Sequence, residues 1–458
     1  MGTPVAKNDE LELEVDSLAF GGNGVARLNG FVVFVRRGLP GDRVRARVTK
    51  VKRRFAEAEL LEVLDGGPDR VEPRCSHFGA CGGCRFQDFA YAAQAAAKEA
   101  QVRDSLTRLG GFDDPTVEAI VPAVEVYGYR NKLEYSFTQT ADGPALGFHR
   151  AGRWDEILPV ETCHLTSSVG NEIRRQTEAW ARGAGIVAYD QRTHEGYLRH
   201  LVVREGRNTG QVMVVLVTAP GDLPAIDSFI EHLGAVEGMR SIQWAVNDRP
   251  AEVTNLPSEI LWGEDAIEEE LLGRRFRVRP GAFLQTNTRM AEVLYKIVQE
   301  YAQLTAQDTI FDLYCGTGTI GLSLADSALT VWGVEISEEA VACALENVQL
   351  NGIGNAAFFA GDVGSAVAEL VPRAGSPDVV VVDPPRAGLT PKALREVASL
   401  EAPRIVYVSC NPTTLAGNAR ELVDDHGYRL VRVRPVDMFP HTPHFESVLT
   451  LERPVEQN

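Results

Sequence analysis

The stretch Thr309-Ile310-Phe311-Asp312-Leu313-Tyr314-Cys315-Gly316-Thr317-Gly318-Thr319-Ile320-Gly321 constrains the fold of this chain more than any other. Thr309–Tyr314 reads as a buried strand, and a helix is expected after Gly321. Between them, glycines remove side chains where a cofactor must approach the backbone at a helix N-terminus. Further strands are expected at Thr330–Val334, Ala356–Ala360, Asp378–Val382 and Ile405–Val408, separated by helical stretches. From about Gly273 to Pro454 this alternation predicts an α/β, doubly wound domain, with ligands at the C-terminal ends of its strands.

Each strand end carries a chemically useful residue. Glu335, 23 positions after Asp312, can accept both hydroxyls of a ribose. The Gly-x-Gly-x-x-Gly loop with this acid fits NAD and S-adenosylmethionine equally well. Asp362 stands where an adenine amino group could be read. Asp383, in Asp383-Pro384-Pro385-Arg386, sits on a lip stiffened by two prolines. Cys410 ends the fifth strand in Ser409-Cys410-Asn411-Pro412, where Asn-Pro is expected to favour a turn over a helix start. A lone strand-end cysteine is more often a packed core thiol than a nucleophile.

At 458 residues, with 44% hydrophobic and 24% charged, the chain suits about three globular domains. No apolar run is long enough for a membrane helix, and Met1–Glu10 lacks a signal-peptide core. Seven cysteines are too few for a disulfide scaffold, so a cytoplasmic location is expected. The net charge of −17 argues against a nucleic-acid partner, but Arg36–Arg54 holds nine basic residues against Asp42 alone. Arg274, Arg275, Arg277 and Arg279 form a second cluster. Local stripes of this kind can hold phosphates on an acidic protein, because distant charges are screened.

Residues 1–66 predict a small barrel. Leu11–Val15, Phe31–Val35, Arg43–Val51 and Glu57–Leu64 alternate like strands, with glycine turns between them, as in five-stranded barrels that bind oligonucleotides. Arg45 and Arg47 share one face, the outer one if the barrel touches a nucleic-acid backbone. Cys75, Cys81 and Cys84 then follow at intervals suited to a metal or an iron–sulfur cluster, with Cys163 the best fourth ligand. Spacing alone leaves structural zinc open, with His77 or His164 as a ligand. Residues 67–272 otherwise read as a mixed α+β central domain, with a helix over Phe89–Leu109, another near Asn171–Ala181, and strands at Lys132–Thr138, Leu201–Glu205 and Val212–Val217.

Taken together, Asp-Leu-Tyr-Cys-Gly-Thr-Gly, the following Glu335 and Asp-Pro-Pro-Arg resemble a class I methyltransferase, which implies a Rossmann-like domain over 273–458. With Ser409-Cys410-Asn411-Pro412 and His444-Phe445-Glu446, the resemblance narrows to the RNA uracil-C5 methyltransferases. It covers essentially the whole chain; residues 1–66 resemble the TRAM domain, and Cys-x5-Cys-Gly-Gly-Cys resembles the family's [4Fe–4S] site. The resemblance implies Cys410 as nucleophile, Glu446 as base, and Gln285, Tyr314, Glu335, Asp362 and Asp383 around S-adenosylmethionine, Asp383 within reach of the cofactor or the uracil edge. It also implies that Tyr129–Lys132 and Gly147–Arg150 help hold RNA. The chemistry needs such a pair: a thiolate adds to C6 of uracil so that C5 can attack the methyl group, and a base then removes the C5 proton. The target uridine is expected unpaired or flipped out. A barrel with four cysteines points to 23S ribosomal RNA, with transfer RNA as the alternative, and to a monomer. A different class, an NAD-dependent oxidoreductase, and a non-catalytic RNA-binding factor are the competing readings.

Overall fold

The computed structural model describes residues 3–454; the outermost residues of the expected first and last domains, 1–2 and 455–458, lie outside them. The first unit is a closed barrel, ordered β1-β2-β3-β5-β4. Its strands are β1 (Glu10–Leu18), β2 (Gly24–Leu28), β3 (Phe31–Arg36), β4 (Arg43–Val51) and β5 (Phe55–Asp65). Alternation decides which side chains go in. Val44, Ala46 and Val48 of β4 fill the interior while Arg43, Arg45 and Arg47 stay exposed.

The central sheet runs β12-β11-β10-β9-β6-β7-β8. It comprises β6 (Lys132–Thr140), β7 (Gly143–His149), β8 (Ile157–Pro159), β9 (Leu198–Glu205), β10 (Val212–Thr218), β11 (Met239–Val246) and β12 (Ser258–Gly263). Helices α1 (Tyr91–Asp104), α2 (Ser168–Gly183) and α3 (Ile226–Gly234) accompany these strands in sequence. The helix expected to reach Leu109 does so through a wider π-turn over Ser105–Leu109. A hairpin of β13 (Ile267–Leu271) and β14 (Arg274–Val278) spans the expected boundary at residue 273, and α4 (Thr288–Ala302) follows.

The last sheet is ordered β17-β16-β15-β18-β19-β21-β20. It contains β15 (Thr309–Leu313), β16 (Thr330–Glu335), β17 (Ala356–Ala360), β18 (Val379–Val382), β19 (Arg404–Ser409), β20 (Arg429–Val436) and β21 (Glu446–Glu452). Helices α5 (Thr319–Leu324), α6 (Glu338–Leu350), α7 (Val363–Ala374), α8 (Pro391–Ser399) and α9 (Pro412–Asp424) connect the strands. Strands β15–β19 are parallel and β21 is antiparallel to β19. All four valines of β18 are buried, as a strand covered on both faces requires. The strand order reverses between β15 and β18, so the crevice for a ligand opens at Leu313–Gly316 and Asp383. Val102 and Leu106, from the α1 region, lie inside one apolar layer of this sheet.

One local expectation is corrected. Asn411-Pro412 begins a helix: Asn411 Oδ1 accepts the Thr413 N–H at 3.0 Å, and Pro412 opens α9. Asparagine is a strong N-cap, and proline loses nothing at the first helical position, whose N–H has no partner within the helix.

Candidate active site

The glycine loop is built around a buried carboxylate. Asp312, the penultimate residue of β15, is fully buried, and its Oδ2 accepts the Gly321 N–H at 2.8 Å. A Cβ on Gly321 would stand 2.7 Å from that oxygen, so only glycine lets the helix start approach so closely. Desolvation first, then the charges of Asp383 and Glu335, push the Asp312 carboxyl up to about 7. Its Oδ1 has no partner. Tyr314, Gly316 and Gly318 take positive φ, turning the chain into α5.

Glu335, at the end of β16, accepts the Gly316 N–H at 3.2 Å and the Ser337 N–H at 2.9 Å, which fixes its carboxylate beside the loop. The Tyr314 hydroxyl is half-buried in the fields of Asp362 and Glu335. Asp362 is exposed at the start of α7. These three therefore gather at the ends of β15, β16 and β17. Gln285 is buried just before α4, in a segment held by Asn131, whose Nδ2 donates to Gln285 O and to Thr288 Oγ1, both at 2.9 Å.

Cys410 and Glu446 come together through strand register. Ser409 of β19 pairs with Ser447 of β21, so the next positions outward, 410 and 446, face each other at the sheet's edge. Cys410 is half-buried; burial first, then the charges of Glu446 and Asp383, raise its thiol to about 11, while Arg386 opposes the rise. Glu446 is buried, and desolvation followed by Asp383 pushes its carboxyl well above the usual range, again opposed by Arg386. Glu446 Oε2 has no partner. Asp383 is also raised by desolvation. Asn411 Nδ2 donates to Arg386 O at 3.0 Å, tying the proline lip to the cysteine turn.

The segment that delivers Glu446, Asp437–Phe445, has no regular structure and is pinned by side chains from elsewhere. Lys98 of α1 reaches Asp437 at 2.6 Å, both side chains deeply buried, and Phe439 O at 3.1 Å. Gln94 accepts the His441 N–H at 2.9 Å. Tyr129 donates to Pro440 O at 3.0 Å, and Asn287 to Met438 O at 2.9 Å.

The residues expected as metal ligands share one cavity. Cys75, Cys81, Cys84 and Cys163 line a space of about 480 Å³ together with His77, His164 and Arg130. Gly83 N donates to Cys81 Sγ at 3.4 Å and Gln87 Nε2 to Cys84 Sγ at 3.3 Å. Burial, and the proximity of the other sulfurs, raise the thiols of Cys81, Cys84 and Cys163. Among the described residues, no group of three His, Cys, Asp or Glu side chains is arranged to hold a metal ion.

Two expectations about RNA contact change. Tyr129 and Asn131 are buried and hold the Pro440 and Gln285 segments, so they present no surface to RNA. Arg274, Arg275, Arg277 and Arg279 are all ion-paired, to Asp326, Glu268, Asp265 and Glu346. The parts played by Asp312, Lys98 and the charge of Arg386 were not read from the sequence. Only Asp312 and Arg386 carried a signal, as members of motifs at strand ends.

The family model for tRNA (Uracil-5-)-methyltransferase matches residues 257–369 and 373–454, and the TRAM domain model matches 4–61. A chain from Halalkalibacterium halodurans, called an uncharacterized RNA methyltransferase, is 39% identical over 98% of both chains. The chain belongs to the RNA uracil-5-methyltransferase family. A similarly described relative from Caldanaerobacter subterraneus is 39% identical over 98% of this chain and all of its own. The crystal structure of the Pyrococcus abyssi tRNA (uracil-54, C5)-methyltransferase, in complex with S-adenosyl-L-homocysteine, superposes with a TM-score of 0.78 at 30% identity. That match covers 96% of this chain and 100% of the archaeal one. The last sheet thus has the class I methyltransferase fold, and the protein is an RNA methyltransferase. No helix among the described residues is long and apolar enough to cross a membrane.

Proposed function

We propose that the protein transfers a methyl group from S-adenosylmethionine to C5 of a uridine in RNA through a covalent Cys410 adduct. The observation that carries this is the register of β19 and β21, which sets a thiol and a buried carboxylate face to face beside the cofactor crevice. The crevice fits the cofactor: glycines clear the loop, Glu335 and Asp362 stand at the strand ends, and Tyr314 offers a ring. Bound there, S-adenosylmethionine supplies an electrophilic methyl group.

The Cys410 thiolate forms a bond to C6, and the displaced electron pair passes through C5 to O4. C5 then bonds to the methyl carbon as the sulfonium bond breaks. Glu446 takes the C5 proton, the C5–C6 double bond re-forms, and the thiolate leaves. Burial suits Glu446 to this role by making its carboxylate a stronger base than an exposed one. Arg386 stabilises the thiolate before attack. Asp383 faces the same space and meets the uracil edge or the cofactor.

The four cysteines hold a [4Fe–4S] cluster in this reading. The donor set is thiol-rich and the sulfurs share one cavity, while N–H donors reach two of them, a contact that tunes a cluster's potential. Held there by Cys75, Cys81, Cys84 and Cys163, a cluster would brace the fold or help position RNA. Cytoplasmic 23S ribosomal RNA is the proposed substrate. The full-length likeness to a tRNA enzyme favours transfer RNA as a second reading, because a barrel-bearing chain of this shape is not confined to ribosomal substrates. Tritium release from C5-labelled uridine in unmodified 23S and transfer RNA tests both. Cys410→Ala should abolish release and Glu446→Gln should accumulate a covalent RNA adduct; no release from either RNA by the wild-type protein overturns the proposal.

A further inference from the structure

The basic residues of the barrel and its neighbourhood differ in whether a carboxylate pairs with them. On β4, Arg43, Arg45, Arg47 and Lys50 pair with Glu12, Glu62, Glu10 and Glu57, so the outer face that the sequence pattern marked as basic is locally neutral. Arg36, Arg37, Arg85 and Arg386 form no ion pair among the described residues, and all but the half-buried Arg36 are exposed.

Arg37, Arg36 and Arg85 stand on segments that pack together, and Arg386 stands on the proline lip beside Cys410. The Arg37 guanidinium comes within 2.7 Å of where a Cβ on Gly79 would stand, and that of Arg36 within 3.0 Å of the same point on Gly152. Both barrel arginines therefore press on the cysteine loop and the hairpin beside it. Arg85, which donates to Gly21 O at 2.6 Å, feels the charge of Arg36. The Arg85 N–H donates to His441 O at 2.8 Å, which sets Arg85 against the segment that carries Glu446, and Asn411 Nδ2 donates to Arg386 O at 3.0 Å, which holds Arg386 on the lip next to Cys410. Aromatic rings stand beside these segments. Phe78 sits under Arg37 at 5.9 Å, and Trp154, 71% exposed, is two residues beyond Gly152. Tyr127 stacks on His441 at 4.4 Å, with Arg74 at 4.9 Å from its ring. The like charges of Arg36 and Arg85 oppose one another, and a bound polyanion relieves that cost.

We propose that Arg37, Arg36, Arg85 and Arg386, in that order, form a phosphate track for single-stranded RNA leading from the barrel to Cys410, with Phe78 and Trp154 as stacking surfaces for its bases. This rests on the reading of the protein as an RNA enzyme. A single strand fits because an exposed ring such as that of Trp154 can stack only on unpaired bases. The outer face of β4 takes no part.

Binding of a fluorescent 15-nucleotide single-stranded oligouridine RNA, followed against NaCl concentration with the full chain, tests the track. Each phosphate contact contributes about 0.7 to the log–log salt slope for a single strand. Arg36→Ala/Arg37→Ala should therefore lower the slope by about 1.4 and weaken binding roughly tenfold at about 0.15 M salt. Arg45→Ala/Arg47→Ala should leave slope and affinity unchanged. Trp154→Ala should weaken binding without altering the slope. If the alanine pair fails to fold, Arg36→Lys/Arg37→Lys keeps the charges and should keep the slope, whereas Arg36→Gln/Arg37→Gln should lose it. Equal effects from the β3 and β4 pairs, an unchanged slope in the first pair, or tighter binding of duplex RNA would overturn the track. Wild-type protein that binds no RNA would instead remove the reading beneath it.

Discussion

Lys98 offers the most direct test of how the segment bearing Glu446 is held. Its ammonium and the Asp437 carboxylate are 2.6 Å apart, with side-chain exposures of 1% and 0%. Replacing Lys98 by methionine keeps the apolar stem but leaves Asp437 with the Phe439 N–H at 3.2 Å and an Oδ2 that has no partner. Removing one member of a buried pair costs about 3–5 kcal/mol, because the remaining charge is neither solvated nor paired. For a domain of this size, each kcal/mol lowers the melting midpoint by about 2–4 °C, so a fall of roughly 6–20 °C is expected by calorimetry. Lys98→Met/Asp437→Asn should recover most of that loss, since no charge is then stranded. Turnover should fall in the single variant, in preparations shown to be folded at the assay temperature, with less change in KM, because the loosened segment carries the base rather than the RNA surface. A single variant within about 1 kcal/mol of wild type would refute the reasoning, since a stranded buried charge costs more than that.

Three further outcomes are expected. With the Cys410 thiol raised to about 11, log kcat/KM should climb by about one per pH unit from neutral to about pH 10, as the thiolate fraction grows; a plateau below pH 8 contradicts this, and Arg386→Ala should lower the rate at neutral pH by destabilising the thiolate. Gly321→Ala drives a methyl group to 2.7 Å from Asp312 Oδ2, and should weaken S-adenosylmethionine binding at least tenfold by isothermal titration; unchanged affinity would show that Asp312 does not set the loop. Protein purified without oxygen should be brown and carry about four irons per chain, and Cys84→Ser should lose them; a colourless preparation with one zinc would overturn the cluster.

Much of the last domain was legible in sequence because parallel strands buried on both faces announce themselves as apolar runs. Val379–Val382 and Ile405–Val408 are such runs, and the motif residues stand directly at their ends. The barrel was legible for a related reason: alternation in Arg43–Val48 can satisfy only a surface with one wet face and one dry face. The capping role of Asn411 was misread because Asn-Pro serves both turns and helix starts, and only the residues after it decide between them. Tyr129 and Asn131 were misplaced because a polar or aromatic side chain looks alike in sequence whether it meets solvent or ties down a distant loop.

The sequence by itself determined which residue types stand at which strand ends: a thiol at 410, acids at 312, 335, 362 and 383, and glycines between 316 and 321. It followed from local pattern, since strand period and turn chemistry are read within a few residues. Only the tertiary structure decided that Cys410 and Glu446 face each other, because that depends on β21 inserting beside β19 in one register. It also decided that Lys98, hundreds of residues away in the chain, holds the base segment, and that the arginines of β4 are neutralised while Arg36 and Arg37 are not. Charge pairing is a matter of a few ångströms across strands distant in sequence, and no count of basic residues along the chain contains it.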